Sequence, residues 1–371
     1  MMKVRGRPLA AVALTVSALS ALAACGGSDD NGSSSSGSSG SGGKTIALLL
    51  PETKTTRYEQ HDRPRFEATV KRLCPDCKVE YANATQDATK QQTQAEAALT
   101  NGADVLVLDA VDVASVAPIV QQAKQRNVPV IAYDRLIPDQ KIDYYVSFNN
   151  VRQGELQAQS LLDGLGGSAN GKSIVMINGS PSDPSAGDYK KGAHNVFDSS
   201  GVKIAKEYDT PDWSPDKAQR EMEQAMTALG KDGFAGVYSA NDGMAGGAIA
   251  AMKGGGVDPK TRPVTGGDGE VAAIQRILDG EQHATIYLTI DKQADAAAQL
   301  AVAKALGKPV PKGLLNGKTD NGAGQIPSVL LVPVVVTKDN VKDTVIKDGF
   351  LKPSDICTGQ YAADCKAAGI S

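Results

Sequence analysis

From Lys44 onward, short and nearly unbroken apolar runs alternate with longer stretches whose apolar residues recur at helical spacing. Lys44–Leu50, Val79–Ala82, Val105–Leu108, the run opening at Val130 and Tyr144–Phe148 read as strands, several of them buried on both faces. Arg63–Leu73, Ala88–Thr100 and Val113–Arg126 between them read as helices, the second stopped by Asn101-Gly102. The rhythm then starts again. Helices are predicted at Gly154–Leu165, Tyr189–Asp198, Asp216–Leu229, Ala245–Lys253 and Glu270–Leu278. They alternate with strands at Ser173–Ile177, Val202–Tyr208, Gly236–Ser239, Pro263–Thr265 and Ala284–Leu288. Such alternation implies parallel sheets with right-handed crossovers. Two successive series imply an α/β chain with two doubly wound lobes and a ligand crevice between them.

The first residues do not fit that rhythm. Lys3, Arg5 and Arg7 precede an apolar segment, Leu9–Leu22, which is short for a membrane span. Leu22-Ala23-Ala24-Cys25-Gly26 follows, and it resembles a bacterial lipobox, in which the Cys is lipidated and the chain is cut before it. Residues 1–24 are therefore expected to be a lipoprotein signal peptide. Residues 25–43, almost all Ser, Gly, Asp and Asn, are expected to be a flexible tether. The expected location is the outer face of a bacterial cell membrane, with Cys25 as the anchor.

Composition narrows the function further. The net charge of −3 over 371 residues offers no basic surface for nucleic acid. With Cys25 set aside, Cys74, Cys77, Cys357 and Cys365 remain. Export favours disulfides, and local pairing (Cys74–Cys77, Cys357–Cys365) is preferred among three connectivities. A redox motif or a zinc site would need a thiol at a helix N-terminus or a second ligand pair, and neither is evident.

Strand ends and loops supply the candidate chemistry. The run from Val130 stops on Asp134-Arg135, where open α/β sheets meet their ligands. Arg57, Tyr58 and Asp109 join them from the first half; Lys190, Trp213, Asn241 and Asp268 come from the second. Planar hydrogen-bonding groups at the edge and aromatic plates on the faces suit a sugar ring, with Tyr58 and the single Trp213 as plates. Taken singly, these residues have plainer readings: Trp213 lies between Pro211 and Pro215, and Asn241 could cap a helix.

Several blocks sharpen this. Ala132-Tyr133-Asp134-Arg135-Leu136-Ile137, Ser147-Phe148-Asn149-Asn150, Gly154-Glu155-Leu156-Gln157-Ala158, Gly179-Ser180-Pro181, Ser239–Ile249 and Asp343–Phe350 resemble the periplasmic sugar-binding proteins of ABC importers. The likeness runs from Lys44 to about Pro353 and is strongest to the xylose-binding members. It implies the type I fold, with lobes of about 44–148 plus 291–328 and 149–290 plus 329–350. Hinges are implied near Phe148–Val151, Thr289–Asp291 and Ser328–Pro333, with a tail at 351–371. It also implies that Arg57, Tyr58, Asp134, Arg135, Lys190, Trp213, Asn241 and Asp268 hold the sugar. Leu288 and Gly267 depart from the xylose pattern, which expects Lys and Gln there.

The expected function is capture of a monosaccharide, xylose-like or related, for an ABC permease and its cytoplasmic ATPase. The expected protein is a monomer, without cofactor or metal. The alternatives are a sensor serving a chemoreceptor or kinase, and a sugar-active enzyme. Against an enzyme, no GxSxG elbow occurs, the Gly runs lack GxGxxG spacing, and Arg135 and Lys190 would hold nearby acids ionised.

Overall fold

The computed structural model describes residues 43–166 and 169–370. The expected signal peptide, Cys25 and most of the tether lie outside the described residues. In the first lobe the alternation is β1 (Thr45–Leu50), α1 (Arg63–Leu73), β2 (Lys78–Asn83), α2 (Ala88–Thr100), β3 (Val105–Leu108), α3 (Ala117–Gln125), β4 (Val130–Tyr133) and β5 (Tyr144–Phe148). In the second it is α4 (Asn150–Gly164), β6 (Ser173–Asn178), α5 (Pro184–Ser200), β7 (Lys203–Asp209), α6 (Pro215–Leu229), β8 (Gly236–Ser239), α7 (Asp242–Gly254), β9 (Thr265–Gly267), α8 (Val271–Asp279) and β10 (Ala284–Tyr287). The chain then returns through α9 (Ile290–Ala305), β11 (Gly317–Asp320), β12 (Gln325–Leu331) and β13 (Val334–Thr337).

The first sheet runs β11-β12-β5-β4-β3-β1-β2, parallel except at β11. The second is built from β7-β6-β8 and β9-β10-β13, joined by a parallel bridge between Val237 and Val264. Here β13 alone is antiparallel. Strands such as β3 and β4 are buried at every position, as sheets covered by helices on both faces require. The chain passes between sheets after Phe148, after Tyr287 and after Leu331.

Three features add to or refine the sequence reading. The helix α9 was not among the predicted elements; its Ala294, Ala297, Ala298 and Ala301 are fully buried, and it packs on α1. Small side chains allow that close approach. The third passage comes after Leu331, which still pairs with Phe148, so the first lobe extends beyond 328. Residues 351–370, expected as a C-terminal tail with a disulfide, pack onto the second lobe: Leu351, Ile356, Cys365 and Ile370 are buried in the core with Ile274 and Leu278. The sulfurs of Cys74 and Cys77, and of Cys357 and Cys365, lie within bonding distance.

Caps fix where the second lobe's helices begin. Asn149 accepts from the Arg152 amide, Asp183 from Ser185 and Asn241 from Met244, at 3.1, 2.8 and 3.0 Å. Each cap satisfies an amide the helix leaves open. These three residues place α4, α5 and α7 a few residues upstream of their predicted starts.

Candidate functional site

A cleft opens between the lobes, lined by Thr55, Arg57, Tyr58, Asp134, Asp183, Tyr189, Trp213, Ala240, Asn241 and Asp268. Its empty space is about 340 Å³, counting the solvent-open mouth. The lining comes from the segments that follow the carboxyl ends of β1, β4, β6, β7, β8 and β9, with Tyr189 from the first turns of α5, as doubly wound sheets direct.

The first lobe's wall is tied to itself. Arg57, in a wide helical turn before α1, is ion-paired through Nε and Nη2 with both oxygens of Asp62, each at 2.9 Å. Its Nη1 donates to Asp134 Oδ1 at 3.1 Å, and Nη2 also reaches Gln293 Oε1 at 2.5 Å. Gln293, from α9, donates to the same Asp134 oxygen at 2.9 Å. Tyr133 donates to Asp62 from below. The Asp134 carbonyl accepts from Tyr145 and Ser147 at 3.1 and 2.7 Å. The Arg57 guanidinium also lies 5.3 Å from the centre of the Tyr58 ring. Asp134 Oδ2 has no protein partner among the described residues.

The second lobe's wall is looser. Asn241 uses its oxygen on the Met244 amide, and its Nδ2 has no partner among the described residues. Asp268, only 8% exposed, accepts no hydrogen bond and forms no ion pair among the described residues. Burial pushes its carboxyl well above the usual range against the pull of Arg57, and Glu270, Asp242 and Asp134 push it the same way. The Trp213 indole donates to Asp183 Oδ2 at 3.2 Å and meets Tyr189 edge-on, centroids 6.2 Å apart. Beneath it lies Gly179, where a Cβ would collide with the ring.

Asp134, Asp212, Trp213 and Asp268 all have positive φ (63, 62, 53 and 98°). Non-glycine residues adopt this region at a cost of order 1–3 kcal/mol, and such outliers cluster at functional sites. Asp242 holds one of these turns in place. Its buried carboxylate accepts from the Gly269 and Glu270 amides, Thr285 Oγ1 and Gln282 Nε2, at 2.8–3.0 Å. Burial raises its pKa to about 7, with Glu270 adding and Arg276, Thr285 and Gln282 opposing.

Contacts also cross between the lobes. Arg135 Nε pairs with Asp183 Oδ2 at 3.0 Å. Thr56 Oγ1 donates to Glu270 at 3.0 Å, and Gln86 Nε2 to the Asp212 carbonyl at 3.2 Å.

The structure therefore gathers Arg57, Tyr58, Asp134, Trp213, Asn241 and Asp268 around one cavity and leaves three expected residues out of its lining. Arg135, 1% exposed, runs behind the wall, its Nη1 on the Ala110 and Val111 carbonyls. Asp109 is fully buried beside it, Oδ1 to Nε 3.4 Å, and among the described residues neither of its oxygens is hydrogen-bonded. Burial pushes this carboxyl up as well, with Arg135 opposing. Lys190 is a correction: it points outward to Glu207 and Asp209 at 3.1 and 3.0 Å. It follows Tyr189 on α5, and one helical step turns a side chain by about 100°, so both cannot face the cleft. Sequence reasoning missed Thr55, Asp183, Tyr189, Ala240 and the supporting Gln293. Asp183 was legible as an N-cap, because Pro184 follows it at the first helical position.

Comparison with known proteins agrees with this geometry. The profile of the periplasmic binding protein domain matches residues 46–309. The D-xylose-binding periplasmic protein of Escherichia coli (strain K12) is 36% identical over 315 residues, covering 84% of this chain and 92% of that one. The multiple sugar-binding periplasmic receptor ChvE of Rhizobium radiobacter is 34% identical over 288 residues, covering 73% and 81%. A solute-binding protein of an ABC transporter from Clostridium phytofermentans, solved with bound β-D-glucose, superposes with a TM-score of 0.76 at 26% identity. That match covers 84% of this chain and all of the other.

Proposed function

The chain belongs to the periplasmic binding protein family, and we propose that it is a receptor that captures a monosaccharide outside the cytoplasm and delivers it to an ABC import permease. The observation that supports this most is the convergence of Arg57, Asp134, Asn241 and Asp268 with Tyr58, Tyr189 and Trp213 around one cleft between the lobes. Carboxylate and amide edges hold hydroxyls, and aromatic faces cover the C–H faces of a pyranose or furanose. The ligand is a xylose-like pentose or a related sugar.

In this reading the three passages between sheets act as hinges, and the ligand shifts an open–closed equilibrium by its preference for the closed form. Arg135–Asp183 and Thr56–Glu270 belong to that form. The permease reads the closed surface, and its cytoplasmic ATPase drives release into the pore. No step is chemical: the protein acts as a binder, as a monomer.

Cys25 carries the lipid that holds the receptor at the membrane, and the two cysteine pairs are disulfides of an exported protein. A thermal-shift screen of pentoses and hexoses tests the binding claim, since a ligand bound to the native state raises the melting temperature. A rise with at least one monosaccharide is expected; none with any of them sinks the reading. Fatty-acid labelling that is lost in Cys25→Ser tests the anchor.

A further inference from the structure

The cations around the cleft are already in use. Arg57 spends its donors on Asp62, Asp134 and Gln293, while Arg135 is ion-paired with Asp183 and donates through Nη1 to backbone carbonyls. Lys190, the base expected to face the sugar, is turned to the surface on Glu207 and Asp209. The lining itself carries Asp134, Asp183 and Asp268 against Arg57 alone.

Asp268 is where this imbalance is sharpest. More than nine-tenths buried and facing the cavity, it has no protein donor among the described residues, and Glu270, Asp242 and Asp134 are its charged neighbours besides Arg57. A buried carboxylate with no ion pair of its own is costly, and Arg57, the one cation near it, is already committed to Asp62 and Asp134. A neutral hydroxyl supplies a hydrogen bond but no charge, whereas an ammonium group supplies both. Asn241 Nδ2 and Asp134 Oδ2, also without partners among the described residues, remain for ring hydroxyls.

We propose that the preferred ligand is an amino sugar, a single aldose ring whose protonated amine is received by Asp268. The proposal rests on the monosaccharide reading above and narrows it. Tyr58 and Trp213 would flank such a ring as they would a neutral one, and aromatic faces also favour a nearby cation.

Titration calorimetry on the wild-type protein at pH 6.5 tests this with matched pairs: D-glucosamine against D-glucose, and D-galactosamine against D-galactose, with D-xylose alongside. In at least one pair the amine is expected to bind tenfold or more tightly than its neutral parent. Asp268→Asn should erase that preference, with the neutral parent changing less. Neutral sugars binding as tightly as their amines, or more tightly, would overturn the proposal while leaving the monosaccharide reading intact. Binding of neither kind, nor of xylose, would overturn both. The paired titrations use the unaltered protein, so they decide the matter even if the variant fails to fold.

Discussion

The two walls of the cleft are built on opposite plans. The first lobe's wall is cross-linked: Arg57, Asp62, Gln293, Tyr133 and one oxygen of Asp134 are bonded to one another, and among the described residues Asp134 Oδ2 alone of this network is left for a ligand. The second lobe presents more open valences: among the described residues Asp268 is unpaired and Asn241 half used. A wall that is already ordered loses little freedom on binding, and a wall with unmet groups gains most from it. The contrast places most of the site's built-in stability on the first lobe, while ligand-dependent energy comes from the second lobe together with the open oxygen of Asp134.

The largest expected effect breaks the cross-linked side. Asp62→Ala leaves Arg57 buried with fewer partners, and removing one member of such a pair costs about 3–5 kcal/mol. Urea denaturation should show a loss of that size; a change below about 1 kcal/mol would mean the wall is not self-supporting. Next come the ligand-facing groups. Trp213→Ala and Asp134→Ala should each weaken sugar binding at least tenfold, about 1.4 kcal/mol, in calorimetry. Unchanged affinity in both would remove the site assignment.

A subtler effect concerns acidity. The Asp242 carboxyl is raised from 3.8 to about 7, so the folded state holds its proton more tightly than the unfolded chain does. The associated stability is therefore complete below about pH 4 and is lost as the pH rises through 7. The melting temperature of the empty protein should fall between pH 5 and 8, and the slope should be shallower in Asp242→Asn. An equal slope in the variant would show that other buried acids carry it. The smallest effect belongs to Lys190→Ala. Its ion pairs are about one-third exposed on the lysine side, and such pairs are worth roughly 0–1 kcal/mol. Sugar affinity should change less than twofold; a tenfold loss would return Lys190 to the site.

The architecture was readable because buried strands and amphipathic helices carry different apolar periods, and most of the alternating strands and helices follow from them. The helix α9 escaped because its alanine-rich surface gives little contrast between faces, and with it went Gln293. The acidic strand ends Asp134 and Asp268 were legible from their place after apolar runs. The depth of Arg135 was not, since it depends on the turn taken by Asp134 at φ 63°. Nor could the sequence alone decide which of Tyr189 and Lys190 faces inward. That is set by the buried stripe Ala186, Tyr189, Ala193 and Phe197 along α5.

Trp213 is the only tryptophan of the chain, and its indole is fastened to Asp183, which in turn meets Arg135 of the opposite lobe. Indole emission from this molecule therefore has a single source, placed where solute and closure are both felt. Occupancy can be followed by light, without label or engineered probe. A stopped-flow trace of that signal would separate the arrival of the solute from the swing of the lobes.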